Sequence, residues 1–344
     1  MKREIELILL AVLVDKSNEE MIKISDILDC ELDWIYISGI IVNHRLSGYF
    51  YNRLNEEQKS KIPKEFREVL KLIVSSQRTR QTYINHEVNV INSKLQKHRI
   101  RFAGLKGVLY GTVLYNNGDR RSNDIDLLVI EDDVSALDKA LREMGYIQSN
   151  MNNGELVEAS KKEKLIQRLN YHDLVPYVKK TDIGIIEIDI NFIFDGKENP
   201  VENLVFSDGV NQYTGNDYSI MGLSIPMNLA FLCVHFYREA TNSLWTEGKR
   251  DLLLYKLVDI MNFIRKFRNE LAYDQIISVF KSLNIDKKCY YVFTVINEFY
   301  SDTFIVRMME LLSYVDKENL GQIYNNITKQ YKKRTRSFYD SIFN

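Results

Sequence analysis

The spacing of apolar and polar positions divides the chain into three stretches. Up to residue 98, apolar residues recur three and four apart, in Ile5–Val14, Met21–Ile27, Trp34–Leu54 and Phe66–Leu95. That spacing lays one apolar stripe along a helix. Ser17-Asn18 and Ser25-Asp26 offer N-caps, and Pro63 breaks the pattern before the last block. The pattern then changes. Arg99–Ala103 predicts a short strand, Gly104–Gly107 a turn, and Val108–Tyr115 a short helix ended by Asn116-Asn117-Gly118-Asp119. Asp124–Ile130 predicts a strand, and Asp132 or Asp133 caps a helix running to Met144. Asn152–Lys164 is polar and reads as loop or irregular helix. Tyr171–Val178 and Ile183–Phe194 predict strands joined through Lys179–Asp182 as a hairpin. From Pro226 the helical spacing returns, in Leu229–Phe236, Leu252–Phe267, Tyr273–Leu283, Cys289–Phe299 and Phe304–Tyr314, with Gln322–Phe343 as a surface helix. The order predicts an α+β chain: a helical region 1–98, a small mixed sheet in 99–222 and a helical region 223–344.

Within the middle stretch, Asp124 and Asp126 stand two apart where an apolar strand begins. Strand side chains alternate faces, so these two carboxylates project together while Ile125 and Leu127 turn to the core. Adjacent carboxylates raise each other's pKa unless a cation lies between them, and a divalent metal shared with phosphate oxygens is the usual resolution. A second row of polar residues, two of them acids, follows the same alternation. Glu187, Asp189 and Asn191 share one face of their strand, and Ile186, Ile188 and Ile190 the other. Ahead of the aspartates, the Gly-flanked turn and the helix after it could hold phosphate through backbone N–H groups.

Composition narrows the partners. The chain has 344 residues, with 46 Lys plus Arg against 47 Asp plus Glu and a net charge of -1. This balance gives no overall electrostatic case for nucleic acid or an anionic membrane. The three cysteines, Cys30, Cys233 and Cys289, lack metal spacing, and each reads as a small buried hydrophobe in a reducing compartment. Ile5–Val14 is short of the roughly 20 residues that span a bilayer. Asp15-Lys16-Ser17 follows it in place of a small-residue cleavage site. A cytoplasmic protein is the expectation.

Leu105-Lys106-Gly107, a short helix with Tyr115, then Gly118-Asp119-Arg120 and Asp124–Val129 as D-I-D-L-L-V together resemble the nucleotidyltransferase superfamily of the DNA polymerase β type. More narrowly they resemble its bacterial branch with L-K-G in place of the usual Gly-Ser turn. The signature covers roughly residues 100–147, with weaker similarity at Ile41–Leu54 and Leu229–Asp259. The resemblance implies transfer of a nucleoside monophosphate from an NTP, ATP foremost, to a small-molecule or peptide acceptor, with release of pyrophosphate. It implies two Mg²⁺ ions, or Mn²⁺ in their place, on Asp124 and Asp126. A third carboxylate from a later strand completes such sites. Asp189 has the shorter side chain, while Glu187 stands where this branch often has its acid. This chain reads Ile188-Asp189-Ile190 where the branch often reads Leu-His-Trp, so both stay open, with Asp189 favoured. A degenerate nucleotide- or partner-binding protein and a toxin-like enzyme nucleotidylating protein or tRNA are the alternatives.

Gly104, Lys106 and Gly107 belong to the turn that would face the triphosphate. Arg120 either neutralises phosphate or pairs with Asp124. Lys256 either reaches the triphosphate, as in similar helices of the superfamily, or pairs with Asp259 three residues on. Arg121 and Ser122 read as a solvated residue and a loop end. His172 either faces the site or is an ordinary polar residue, and His235 reads as a core histidine. The basic run Lys329, Lys332, Lys333, Arg334 and Arg336, interleaved with Tyr331, Phe338 and Tyr339, reads as a solvated helix face or as a contact for RNA.

Overall fold

The computed structural model describes residues 1–152, 155–182, 184–325 and 327–343. The chain is α+β and divides into two compact units. Ser76–Asn228 forms one; Met1–Ser75 with Leu229–Asn344 forms the other. Among the described residues no helix is long and apolar enough to cross a membrane.

The Ser76–Asn228 unit is built on one sheet. Its strands are β1 (Phe102–Gly104), β2 (Asp124–Val129), β3 (Ile147–Asn152), β4 (Glu155–Glu158), β5 (Tyr177–Thr181), β6 (Gly184–Asn191), β7 (Val210–Thr214) and β8 (Ser219–Leu223). They lie in the order β4-β3-β5-β6-β2-β1-β8-β7. The pairs β2–β6 and β1–β8 run parallel and the others antiparallel. The alternation in β6 is realised: Ile186, Ile188 and Ile190 are buried, with Glu187 and Asp189 half-buried between them. The second half of the helix Lys64–Lys97 is tied to β8 by its asparagines. Asn89 and Asn92 side-chain oxygens accept from the Ser219 and Met221 backbone N–H groups at 3.2 and 3.3 Å.

In the other unit the helix Leu254–Lys266 runs through the core, every residue from Leu254 to Ile264 but Tyr255 buried. Asn262 is fully buried. Its amide donates to the Val12 carbonyl at 3.1 Å and its oxygen accepts from Val14 N–H at 2.9 Å, closing the end of the helix Arg3–Ala11 against this core. Tyr49 likewise donates to Asp259 at 2.7 Å. Asn262→Leu keeps the branched side-chain skeleton but replaces both polar atoms with methyl groups, which strands both backbone groups in an apolar site. At about 1–3 kcal/mol per unsatisfied group, a loss of roughly 2–6 kcal/mol is expected, read as a lowered denaturant midpoint with unchanged slope. A midpoint within experimental error of wild type would show that the closure is dispensable.

Several elements differ from the sequence reading. The segment from Gln322 is not a surface helix. It forms the hairpin of β9 (Ile323–Asn325) and β10 (Gln330–Lys332), with a helix, among the described residues, only at Phe338–Phe343. The Asn325 side chain accepts from Ile327 and Thr328 N–H groups and turns the chain, which competes with helix formation. Within Asn152–Lys164, β4 forms, and a helix begins at Lys161 and runs to Asn170. Ser160 and Glu163 build a full capping box there, a signal present in the sequence. Asn153 and Gly154 lie outside the described residues, as does Ile183 of the predicted strand Ile183–Phe194. β5 is confined to Tyr177–Thr181, beginning just after Pro176, which has no N–H for a ladder. Asp133 does not cap its helix; it binds the Arg101 backbone and guanidinium at 2.8 Å. Cys233 and Cys289 are buried, but Cys30 is only half-buried.

Candidate active site

β2 and β6 run side by side in a register that pairs Asp124 with Glu187 and Asp126 with Asp189. In parallel strands, residues in register project to the same face, so the acids of both strands meet there. Ile125, Ile188, Leu127 and Ile190 fill the other face and hold the strands in place. Carboxylate oxygens of Asp124, Asp126 and Asp189 come within 4.8 Å of one another. Glu187, opposite Asp124, stands outside this trio.

Electrostatics disfavour three ionised carboxylates so close together. Asp126 is buried, which pushes its pKa up. Lys106 opposes that shift and Asp124 adds to it. Asp189 is pushed up to about 8, first by burial and then by Asp126, Asp124 and Glu187. Glu187 is raised by burial and by Asp124 and Asp126, with Arg80 opposing. Three converging carboxylates, Asp126 buried and Asp124 and Asp189 half-buried, are hard oxygen donors of the kind that hold Mg²⁺ or Mn²⁺. The donor set therefore fits such an ion.

The turn before β2 supplies a cation of its own. Lys106 opens the helix Lys106–Val113, two residues before the expected start, with a left-handed φ of 48° that is uncommon for a long side chain. Its Nζ lies 2.7 Å from Asp126 Oδ1, and the side chain is only 19% exposed. It is therefore a partly buried partner of the acid cluster and not a solvated lysine. Gly107 is needed for close approach: a Cβ there would meet Arg120 Nη1 and Ser122 Oγ, both at 2.6 Å. Arg120 donates to Ser122 Oγ at 3.2 Å and lies over the Tyr110 ring at 5.6 Å. It also acts on Asp126 as a nearby positive charge. Ser122 is thus a buried bonding partner, more than a loop end. The bare Cα of Gly104 serves the sheet, since a Cβ would strike Ile220 Cγ1 at 2.6 Å beside the parallel β8.

Arg80 was not visible in the sequence as part of this region. It lies 44 residues before Asp124 on a helix, where a basic residue carries no motif. Its guanidinium donates to the Asn123 and Ile185 carbonyls at 2.9 and 3.2 Å. It clamps the entries of β2 and β6 and moderates Glu187.

The remaining candidate residues have partners of their own. Lys256 belongs to the helical unit, where it is buried, ion-paired with Glu239 and 5.3 Å from the Trp245 ring centre. Asp259, three residues on, accepts from Tyr49. His172 lies beside the end of β6, its carbonyl accepting from Phe192 N–H, with its ring 3.8 Å from Asp173. His235 stacks on Phe231, 3.6 Å from Glu239. Arg121 is exposed and donates to Asn123.

No curated protein sequence matches the chain. Among solved structures, an antigenic nucleotidyltransferase-like protein from Paracoccidioides brasiliensis is similar over 53% of this chain and 75% of that one. It is 14% identical with a TM-score of 0.35, too loose a likeness to bear on the site. The family model described as "Uncharacterised nucleotidyltransferase" matches residues 31–301. That span takes in the whole sheet unit with Lys106 and all four acids, and the chain belongs to this nucleotidyltransferase family.

Proposed function

We propose that this chain is a Mg²⁺-dependent nucleotidyltransferase of the DNA polymerase β type. It would move a nucleoside monophosphate from an NTP, ATP foremost, to an acceptor hydroxyl. The observation that carries this reading is the convergence of Asp124, Asp126 and Asp189 on one face of two parallel strands. Divalent ions held there would neutralise the three carboxylates and draw charge from the triphosphate during transfer.

The residues divide the remaining work. The acceptor oxygen attacks the α-phosphorus, the bond from that phosphorus to the bridging oxygen of the β-phosphate breaks, and pyrophosphate leaves. Asp189 takes the acceptor's proton; divalent ions on the cluster would keep its carboxylate ionised and so able to accept it. The triphosphate lies against the Gly104–Gly107 turn and the start of the next helix, where backbone N–H groups and the positive end of the dipole favour an anion. Lys106 and Arg120 add positive charge beside it. Glu187 tunes the acid cluster from outside the trio.

Incubating the purified chain with each NTP, Mg²⁺ and a panel of acceptors, with pyrophosphate detection, tests the reading. Pyrophosphate release that requires both metal and acceptor supports it. No release with any NTP, together with no metal-dependent nucleotide binding, would leave a degenerate protein instead.

Lys106→Ala is expected to weaken binding of a non-hydrolysable NTP in the presence of Mg²⁺ by roughly 10-fold, the value of one charge-assisted contact of about 1.5 kcal/mol. Calorimetry measures it. Unchanged affinity would confine Lys106 to pairing with Asp126 and leave the backbone turn to hold the phosphates.

A further inference from the structure

The basic run near residue 333 is the sequence motif that nucleotidyl transfer does not use. In the helical unit it borders a cleft of about 1070 Å³. Five cations line this cleft, Lys249, Lys332, Lys333, Arg334 and Arg336, against two carboxylates, Glu247 and Asp251. Arg334 neutralises Asp251 at 2.8 Å. His44, also in the wall, contributes no charge: its Nδ1 accepts from Leu254 N–H at 3.1 Å, which leaves Nε2 to donate to Ile342 O at 2.8 Å. Lys249, Lys332 and Lys333 are exposed, and none has a carboxylate within ion-pair distance among the described residues. The balance of the whole chain conceals this local excess.

Shape and chemistry narrow the occupant. At about 1070 Å³ the cleft is as large as the biggest ordinary small-molecule pockets, roughly 300–1,000 Å³. Tyr331 lies between Gln330 and Lys332 on β10 and is 68% exposed, an aromatic face beside the cations. It leans on Tyr324 with ring centres 4.9 Å apart, which steadies it. Cations that follow a backbone, with an exposed ring to stack on bases, are the two parts of a sequence-tolerant single-strand site. An acidic peptide would satisfy the lysines but would leave the ring unused.

We propose that this cleft binds single-stranded nucleic acid, with Lys249, Lys332 and Lys333 holding phosphates and Tyr331 stacking on a base. The inference does not depend on the transfer reaction. Fluorescence anisotropy of the full chain with a labelled single-stranded RNA, the same DNA sequence and its duplex tests it. Three phosphate contacts imply about 20-fold weaker binding between about 50 and 200 mM salt. Lys332→Ala with Lys333→Ala should weaken binding at least about 10-fold and flatten that salt dependence. Tyr331→Ala should weaken it by at least about fivefold. These side chains are exposed, so melting is expected to match wild type. The RNA and DNA arms identify the strand, and binding of either supports the site. Asp126→Asn should bind as wild type, which separates this site from the transfer reading. No binding of either strand, preference for the duplex, equal binding by the double lysine variant, or equal displacement by polyglutamate would overturn it.

Discussion

Asp126→Asn is expected to lower nucleotidyl transfer by at least about 10³-fold, because several kcal/mol of charge stabilisation depend on a filled carboxylate site. Asn matches Asp in size but brings one charge fewer to the cluster. Asp126 is the most buried of the three acids, 4% exposed, and its register partner is Asp189. The fold should survive. The substitution loses the ion pair with Lys106 but also removes a desolvated charge beside Asp124 and Asp189, and these effects oppose each other. Pyrophosphate release by the purified variant, measured with its melting curve, decides the matter. Residues that act as a unit lose activity together, so Asp189→Asn and the double variant should be about equally inactive. Full turnover in a normally melting Asp126→Asn chain would remove the carboxylates from the chemistry.

Without divalent metal, the protein should lose stability as the pH is raised, and metal should restore it. Asp189 has an ordinary value of 3.8 and a folded value of about 8. The folded state therefore holds a proton that the unfolded chain has released. The stability from this proton is fully present below the unfolded value and is lost as pH rises through the folded one. The slope is about 1.4 kcal/mol per pH unit for a single proton. Asp126 and Glu187 are raised too, with burial the leading cause, and add in the same direction. A divalent cation favours the charged carboxylates, so the rise in melting temperature on replacing EDTA with Mg²⁺ or Mn²⁺ should be larger near pH 8 than near pH 5. Asp189→Asn should flatten both dependences. A metal response independent of pH, or one kept in full by Asp189→Asn, would show that the ion binds elsewhere.

What could be read from the sequence is what depends on local periodicity. Helix spacing up to residue 98 and again from Pro226 is intrinsic to the chain, since the apolar stripe is written at i, i+3 and i+4. So is the common face of Asp124 and Asp126, because strand alternation follows from backbone geometry alone. The same alternation put Glu187 and Asp189 on one face but could not choose between them. Only the folded chain shows that the register of β2 against β6 sets Asp126 beside Asp189 and Asp124 beside Glu187, with Asp189 and not Glu187 in the trio within 4.8 Å. Register is a property of two strands some 60 residues apart, and no local pattern encodes it. Arg80 was invisible for the same reason. The strands Val210–Thr214 and Ser219–Leu223, and the hairpin in place of a helix after Gln322, show that weak local preferences yield to pairing and turn chemistry.

The sequence by itself determined the chemistry available to this protein: paired acids on an apolar strand, a Gly-flanked turn with a lysine, and a cluster of cations around an exposed tyrosine. The tertiary structure decided which of these act together. It turned Lys106 onto Asp126, set Lys256 in a buried pair with Glu239, and folded the basic run into the wall of a cleft. The physical reason is range. Backbone periodicity acts over a few residues, whereas burial and Coulomb interaction act between any groups that folding brings within a few ångströms.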